Sequence, residues 1–130
     1  MAQVHTNFNQ NAWFQEKETE IGTHTAWHGL ITGMFCEGIL RDRTPYTYLL
    51  RQGEIPHHYY LSFVREDGTF HHQPFVVEWK SEGWFYRNFN HHYSSTLEGL
   101  IPKIIHCEAS QCIPLTKAEC ASPFFTNYSS

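Results

Sequence analysis

The stretch Tyr46-Thr47-Tyr48-Leu49-Leu50-Arg51-Gln52-Gly53 constrains this chain more than any other. Strand-favouring residues, mostly large and apolar, run into one arginine, and a Gly-containing loop follows at once. Apolar residues stand in both alternating sets, Tyr46, Tyr48 and Leu50 against Leu49, which suits a central strand covered on both faces. An arginine at the end of such a strand cannot lose its charge and is costly to bury unpaired. The strand therefore needs a partner that matches a guanidinium fork.

The rest of the composition narrows the class. At 130 residues the chain suits one domain with enough length to bury a core. An apolar fraction of 41% against 17% charged residues excludes wholesale disorder. The net charge of −4 leaves no basic surplus to neutralise a nucleic-acid backbone, so no nucleic-acid partner is expected. No apolar run approaches a membrane span, and the polar start from Met1 to Gln15 is unlike a secretory signal. The expectation is a soluble protein. Cys36, Cys107, Cys112 and Cys120 contain no C-x-x-C pair; two disulfides are permitted by number, but the reading is reduced, small and hydrophobic thiols. A zinc site from His106, Cys107, Cys112 and Cys120 is the competing idea, at a spacing that fits no common pattern.

Taken in order, residues 1–22 are rich in Asn, Gln, Glu and Thr with Trp13 and Phe14 among them. No period emerges, so they read as a polar N-terminal arm, partly docked by its aromatics. Thr23 to Trp27 suits a short edge strand. Thr32 reads as the N-cap of a helix over Gly33 to Arg41, whose apolar face would be Phe35, Cys36, Ile39 and Leu40. Strands follow over Tyr46 to Arg51, His58 to Arg65, Thr69 to Trp79 and Trp84 to Phe89. Glu66-Asp67-Gly68 and Ser81-Glu82-Gly83 are the turns between them, and Pro74 points to an edge or a bulge. Asn90 to Thr96 reads as a loop with an N-cap. Leu97, Leu100, Ile101, Ile104 and Ile105 then trace one face of a helix that Pro102 should kink. A short apolar piece around Cys112 to Leu115 and a tail over 121–130 close the chain. The order predicts an α+β domain over 23–120 with a central antiparallel meander.

Five motifs then stand in register: Trp27-His28-Gly29-Leu30-Ile31-Thr32, Tyr48-Leu49-Leu50-Arg51-Gln52-Gly53, Tyr60-Leu61-Ser62-Phe63, His71-His72 and Leu97-Glu98-Gly99-Leu100-Ile101. Together they resemble a divergent Src homology 2 (SH2) domain, and Cys112-Ile113-Pro114-Leu115-Thr116 is similar to that family's closing segment. The resemblance implies a central antiparallel β-sheet flanked by two α-helices that binds phosphotyrosine peptides in extended form. It makes Arg51 the phosphate-binding arginine and His72 the histidine lining the same pocket. A guanidinium fork matches two phosphate oxygens, and the backbone N–H groups of Gln52, Gly53, Glu54 and Ile55 can add donors, with Gly53 free to take unusual angles. Tyr60, His71 and Gln73 fall where peptide contacts are implied.

The chain also departs from the family. Gly33 stands where a second basic residue is frequent, Glu54 and Ile55 where hydroxyls are usual, Pro74 where a lysine is common, and Tyr60 where a small residue is usual. His57, His58 or His71 would have to make up part of the deficit. The plain alternatives are a solvated or internally paired Arg51 and a half-buried, satisfied His72. On strands, the pairs His57-His58, His71-His72 and His91-His92 place one imidazole on each face. Trp79, Trp84, Phe85, Tyr86 and Phe89 read as core or sheet surface, some of them walling a peptide groove. Catalysis is not expected: Asp42 stands where a Cys36-x5-Arg phosphatase loop would need arginine, and no hydrolase or P-loop motif is present. The expectation is a non-catalytic, cofactor-free and metal-free monomer that recognises tyrosine-phosphorylated proteins or peptides. It would act as an adaptor in the cytoplasm, or in the cytosol of a host cell as a bacterial effector. The alternative keeps the scaffold with a lapsed pocket and binds its partners without phosphorylation.

Overall fold

A strand with apolar residues on both faces must be covered on both, and β1 (Thr47–Gln52) is. A computed structural model describes residues 2–79 and 83–120. Before β1 come α1 (Ala2–Gly22) and α2 (Gly33–Leu40). After it come β2 (His58–Val64), β3 (Phe70–Val77), β4 (Trp84–Arg87), β5 (His91–Ser94) and α3 (Leu97–Ile105). A 3-10 turn (Ala109–Gln111), β6 (Ile113–Pro114) and α4 (Lys117–Cys120) end the described chain. The tail over 121–130 and the Ser81-Glu82 part of the expected turn lie outside the described residues.

The architecture is α+β, a six-stranded sheet in the order β5-β4-β3-β2-β1-β6, antiparallel except where β6 runs parallel to β1. Tyr48 and Leu50 of β1 join Tyr59, Leu61, Phe63, Phe75 and Trp84 in the larger core, which all five apolar residues of α3 seal. Leu49 faces the other way into a smaller core with Cys36 and Leu40 of α2, Val64 and Leu115. α3 therefore packs on one face of the sheet and α2 on the other, and Ile21, Trp13 and Phe14 of α1 join the α3 side. Among the described residues no helix is long and apolar enough to cross a membrane.

Chain segments without strand character complete the edge of β1. The expected strand over Thr23 to Trp27 shrinks to one parallel bridge between Trp27 and Leu50, because Thr23 and His24 still close the end of α1. Beyond it, Leu50 N donates to Ala26 O, His28 N to Leu50 O and Gln52 N to Gly29 O, at 2.8–2.9 Å. The His28 ring bonds Leu115 O at 2.7 Å, tying this strip to the end of β6. The tip between β2 and β3 is the expected Asp-Gly turn: Gly68 takes a φ of 88°, and Asp67 Oδ1 accepts from Thr69 N at 3.0 Å.

Other expectations needed correction. Phe35 lies outside the buried face of α2 at 60% exposed, while Cys36 and Leu40 are buried. A helix of eight residues presents only its i, i+4 stripe to the sheet, and Phe35 stands more than a quarter of a turn off it. Where no period is legible, residues 2–22 form α1. Its docked face mixes Trp13, Phe14 and Ile21 with Lys17 and Glu20, so helical spacing is present while apolar periodicity is not. Glu20 accepts from Trp84 Nε1 at 3.0 Å and from Leu97 N at 2.7 Å, joining α1 to β4 and to the first turn of α3. The expected loop over Asn90 to Thr96 contains β5, paired to β4 from His91↔Arg87 to Ser94↔Trp84. Pro74 needs no bulge: it pairs with Tyr60 of β2, and β4 joins β3 only at Val76 and Val77, so the other side of Pro74 has no ladder to break. Pro102 lies within α3, as the sequence placed it, and His106 N donates to Pro102 O at 2.9 Å.

Candidate functional site

Alternation along β1 sends Arg51 to the same face as Leu49, beneath α2, where the cross-strand neighbours are polar. Arg51 is only 8% exposed. Its Nε donates to Ser62 Oγ at 3.1 Å, Nη2 contacts His72 Nδ1 at 3.2 Å, and Nη1 reaches Ile31 O at 3.5 Å. Ser62 and His72 are themselves a cross-strand pair, with Ser62 Oγ 2.7 Å from His72 Nδ1. Guanidinium nitrogens only donate, so His72 Nδ1 is an acceptor and the ring proton belongs on Nε2. That nitrogen faces Glu37 Oε2 of α2 at 2.6 Å.

The walls follow from the same registry. The Tyr60 ring lies under the guanidinium, 4.3 Å from Arg51 Cζ, an arrangement that holds a cation over an electron-rich face. Gly33 puts no side chain beside the pair: a Cβ there would stand 3.5 Å from Arg51 Nη2 and 3.9 Å from His72 Cε1. Cys36 is fully buried below. Burial pushes its thiol up, and the Ser62 and Arg51 contacts only partly oppose this, so it is a protonated packing group. Among the described residues no carboxylate pairs directly with Arg51. The guanidinium is nearly buried, held in place and met by neutral acceptors.

Of the residues expected at the site, the structure gathers Arg51, His72 and Tyr60. The loop after β1 contributes less than its sequence implies. Gln52 N is taken by Gly29 O and Gly53 N by His58 O, both at 2.8 Å, which leaves the N–H groups of Glu54 and Ile55. Gly53 is needed for closeness, not for an unusual angle: its φ is not positive, and a Cβ would fall 2.4 Å from His58 O. His71 and Gln73 point to the opposite face, where His71 contacts Phe63, Arg65 and Gln73, and Gln73 reaches Arg87 O. His57 stacks on Phe14 of α1 at 4.0 Å, and His58 turns back to Pro56 O at 2.9 Å. None of these three histidines joins Arg51.

Two residues of the network were missed. Ser62 was legible, since it lies diagonally across from Arg51 on the paired strand, two residues beyond Tyr60. Glu37 stands one helical turn after Gly33, the position already marked as a departure, and that i, i+4 relation was the available signal. The competing zinc idea loses its ligand set. Cys107 and Cys112 lie together, Sγ to Sγ 2.6 Å, on the larger core, while Cys120 packs against the smaller one. Burial and the neighbouring Cys107 push Cys112 up to about 12, far from a ready thiolate.

The wider architecture can now be compared. No protein-family model matches the chain, and no curated protein does. Among solved structures, the solution NMR structure of the Monosiga brevicollis CRK/CRKL homolog SH2 domain matches 72% of this chain and 85% of its own. The identity is 24% and the TM-score 0.52. The fold is that of an SH2 domain. In this SH2 fold the buried arginine lies at the C-terminal end of β1, in the angle between the sheet and the start of α2.

Proposed function

We propose that the chain is a non-catalytic module that binds phosphotyrosine-containing segments of partner proteins, with the phosphate held at Arg51. One observation carries this reading: a guanidinium 8% exposed, oriented by Ser62 and His72, with no carboxylate of the described residues paired to it. A buried permanent charge without a direct counter-ion is a site prepared for an anion, and the planar fork suits two phosphate oxygens. His72 and the N–H groups of Glu54 and Ile55 are the further donors. The place a side chain at Gly33 would take, beside Arg51 Nη2, is where the phosphate would enter.

A second reading, a scaffold that binds unphosphorylated partners, is favoured by the Tyr60 ring, which already covers one face of the guanidinium. Calorimetric titration with matched tyrosine and phosphotyrosine peptides separates the two. The phosphopeptide should bind more tightly, and Arg51→Ala should remove about 2–5 kcal/mol of its binding energy, a loss of roughly thirtyfold or more. Equal affinities for both peptides, or an unaffected mutant, would leave the second reading standing.

A further inference from the structure

The His72 ring has an acidic group at one end and a basic group at the other. Nδ1 takes contacts from Ser62 and Arg51, and Nε2–H meets the Glu37 carboxylate at 2.6 Å. Arg51 Nη2 and Glu37 Oε2 are therefore separated by the width of one imidazole. Glu37 is mounted one turn after Gly33, whose missing side chain opens the space beside Arg51 Nη2 and His72 Cε1. An anion entering that space finds Arg51 on one side and a carboxylate on the other. The carboxylate already holds the only N–H of the imidazole.

From this geometry we infer that Glu37 is an internal anion that competes with the ligand phosphate, holding down the affinity of the site. The inference rests on the proposed phosphate reading. A phosphate gains the His72 Nε2–H only when the carboxylate leaves it. Until then the two like charges share a partly desolvated corner, which disfavours the bound state. Displacement is feasible: the Glu37 side chain is 44% exposed and has solvent to swing into, while the His72 side chain is 24% exposed and braced from behind by Ser62. Glu37 is thus both a counter-charge to Arg51, relayed through the ring, and an obstacle to a bound phosphate.

The opposing view is that Glu37 only orients His72. Glu37→Gln separates the two, because the amide oxygen can still accept from Nε2–H while the charge is gone. The probes are phenyl phosphate, a dianion near neutral pH, and phenyl sulfate, a near-isosteric monoanion. Each is titrated into the full chain and followed by NMR shifts. Removing a repulsive charge should tighten phenyl phosphate by about tenfold, a figure reduced from the dry-site value for the exposure of the carboxylate. The gain should be smaller for phenyl sulfate and should shrink as salt is raised. Glu37→Ala, which also removes the acceptor, should still bind phenyl phosphate more tightly than wild type. Unchanged or weaker binding by Glu37→Gln, or equal gains for both probes, would overturn the inference. A phosphate reading that is itself mistaken looks different: neither wild type nor Glu37→Gln would prefer phosphotyrosine to tyrosine peptides, and Arg51→Ala would change nothing.

Discussion

The same strands present opposite chemistry on their two faces. Toward α3, β1 and β2 offer Tyr48, Leu50, Tyr59, Leu61 and Phe63, and β3 and β4 add Phe75, Trp84 and Tyr86, all buried. Toward α2 they offer Leu49 and Arg51 from β1, Tyr60, Ser62 and Val64 from β2, and His72 from β3. One face maximises buried apolar area, the term that dominates folding. The other gives up part of that area to an arginine, a serine and a histidine, whose hydrogen bonds offset little more than their desolvation. Stability should therefore reside mainly on the α3 face, and recognition on the α2 face.

The sharpest way to break that division is Trp84→Ala. The indole is fully buried, packs its ring 5.8 Å from both Tyr59 and Phe75, and donates to Glu20. Its loss should cost about 3–5 kcal/mol in urea unfolding, a large part of a domain's stability. Phosphopeptide affinity, corrected for the folded fraction, should hardly move. A parallel loss of affinity would show that the faces are not separable.

Glu20→Ala asks whether α1 belongs to the stable face. Its carboxylate serves Trp84 Nε1 and the N–H of Leu97 at the start of α3, and Lys17 approaches it at 3.6 Å while donating to Ser95 O. Leaving two donors unsatisfied should cost about 1.5–3 kcal/mol. Thermal unfolding of the variant alongside wild type measures it. No change would mean that the helix is an appendage, whatever its contacts.

Gly53→Ala tests the seam between the faces, because the residue follows β1 just past Arg51. The added Cβ at 2.4 Å from a backbone carbonyl has no flexible neighbour to yield, so a loss of about 1–3 kcal/mol is expected. Unlike Trp84→Ala, this variant should also weaken phosphopeptide binding by moving the loop N–H groups. Denaturation and titration on the same preparation give both numbers.

How far these features were legible follows from their period. β1 announces itself by an apolar run into one arginine, β2 and β3 by the Asp-Gly turn between them, and α3 by an unbroken apolar stripe. α1 does not, because Lys17 and Glu20 occupy two places on the docked face and work through ion pairs and hydrogen bonds. β5 does not either: His91, His92 and Tyr93 are half-exposed or exposed, and pairing to β4 alone makes them a strand. At the site, Arg51 and His72 stand out because each sits in a motif. Ser62 and Glu37 stand out only once strand register and helix phase are known, since no single stretch of sequence contains the network. Phe35 failed for the converse reason. Helical phase was read correctly, but the width of the buried stripe on so short a helix is fixed by the sheet it meets.

The smallest effect gives the most direct comparison, because the two faces carry matched caps. Thr32 precedes α2 and accepts from Phe35 N; Thr96 precedes α3 and accepts from Gly99 N; both bonds are 3.1 Å, from residues in extended conformation. Replacing either threonine by alanine should cost about 1 kcal/mol, the usual worth of such a cap. The consequences for binding should differ. Loosening the first turn of α2 frees Gly33, beside Arg51 Nη2, and, one turn on, Glu37, which meets His72 Nε2. Thr32→Ala should therefore change phosphopeptide affinity by a few-fold, while Thr96→Ala at the same stability loss should leave it at the wild-type value. Equal effects of the two variants on binding would mean that affinity follows global stability, and that the α2 face has no separate role in recognition.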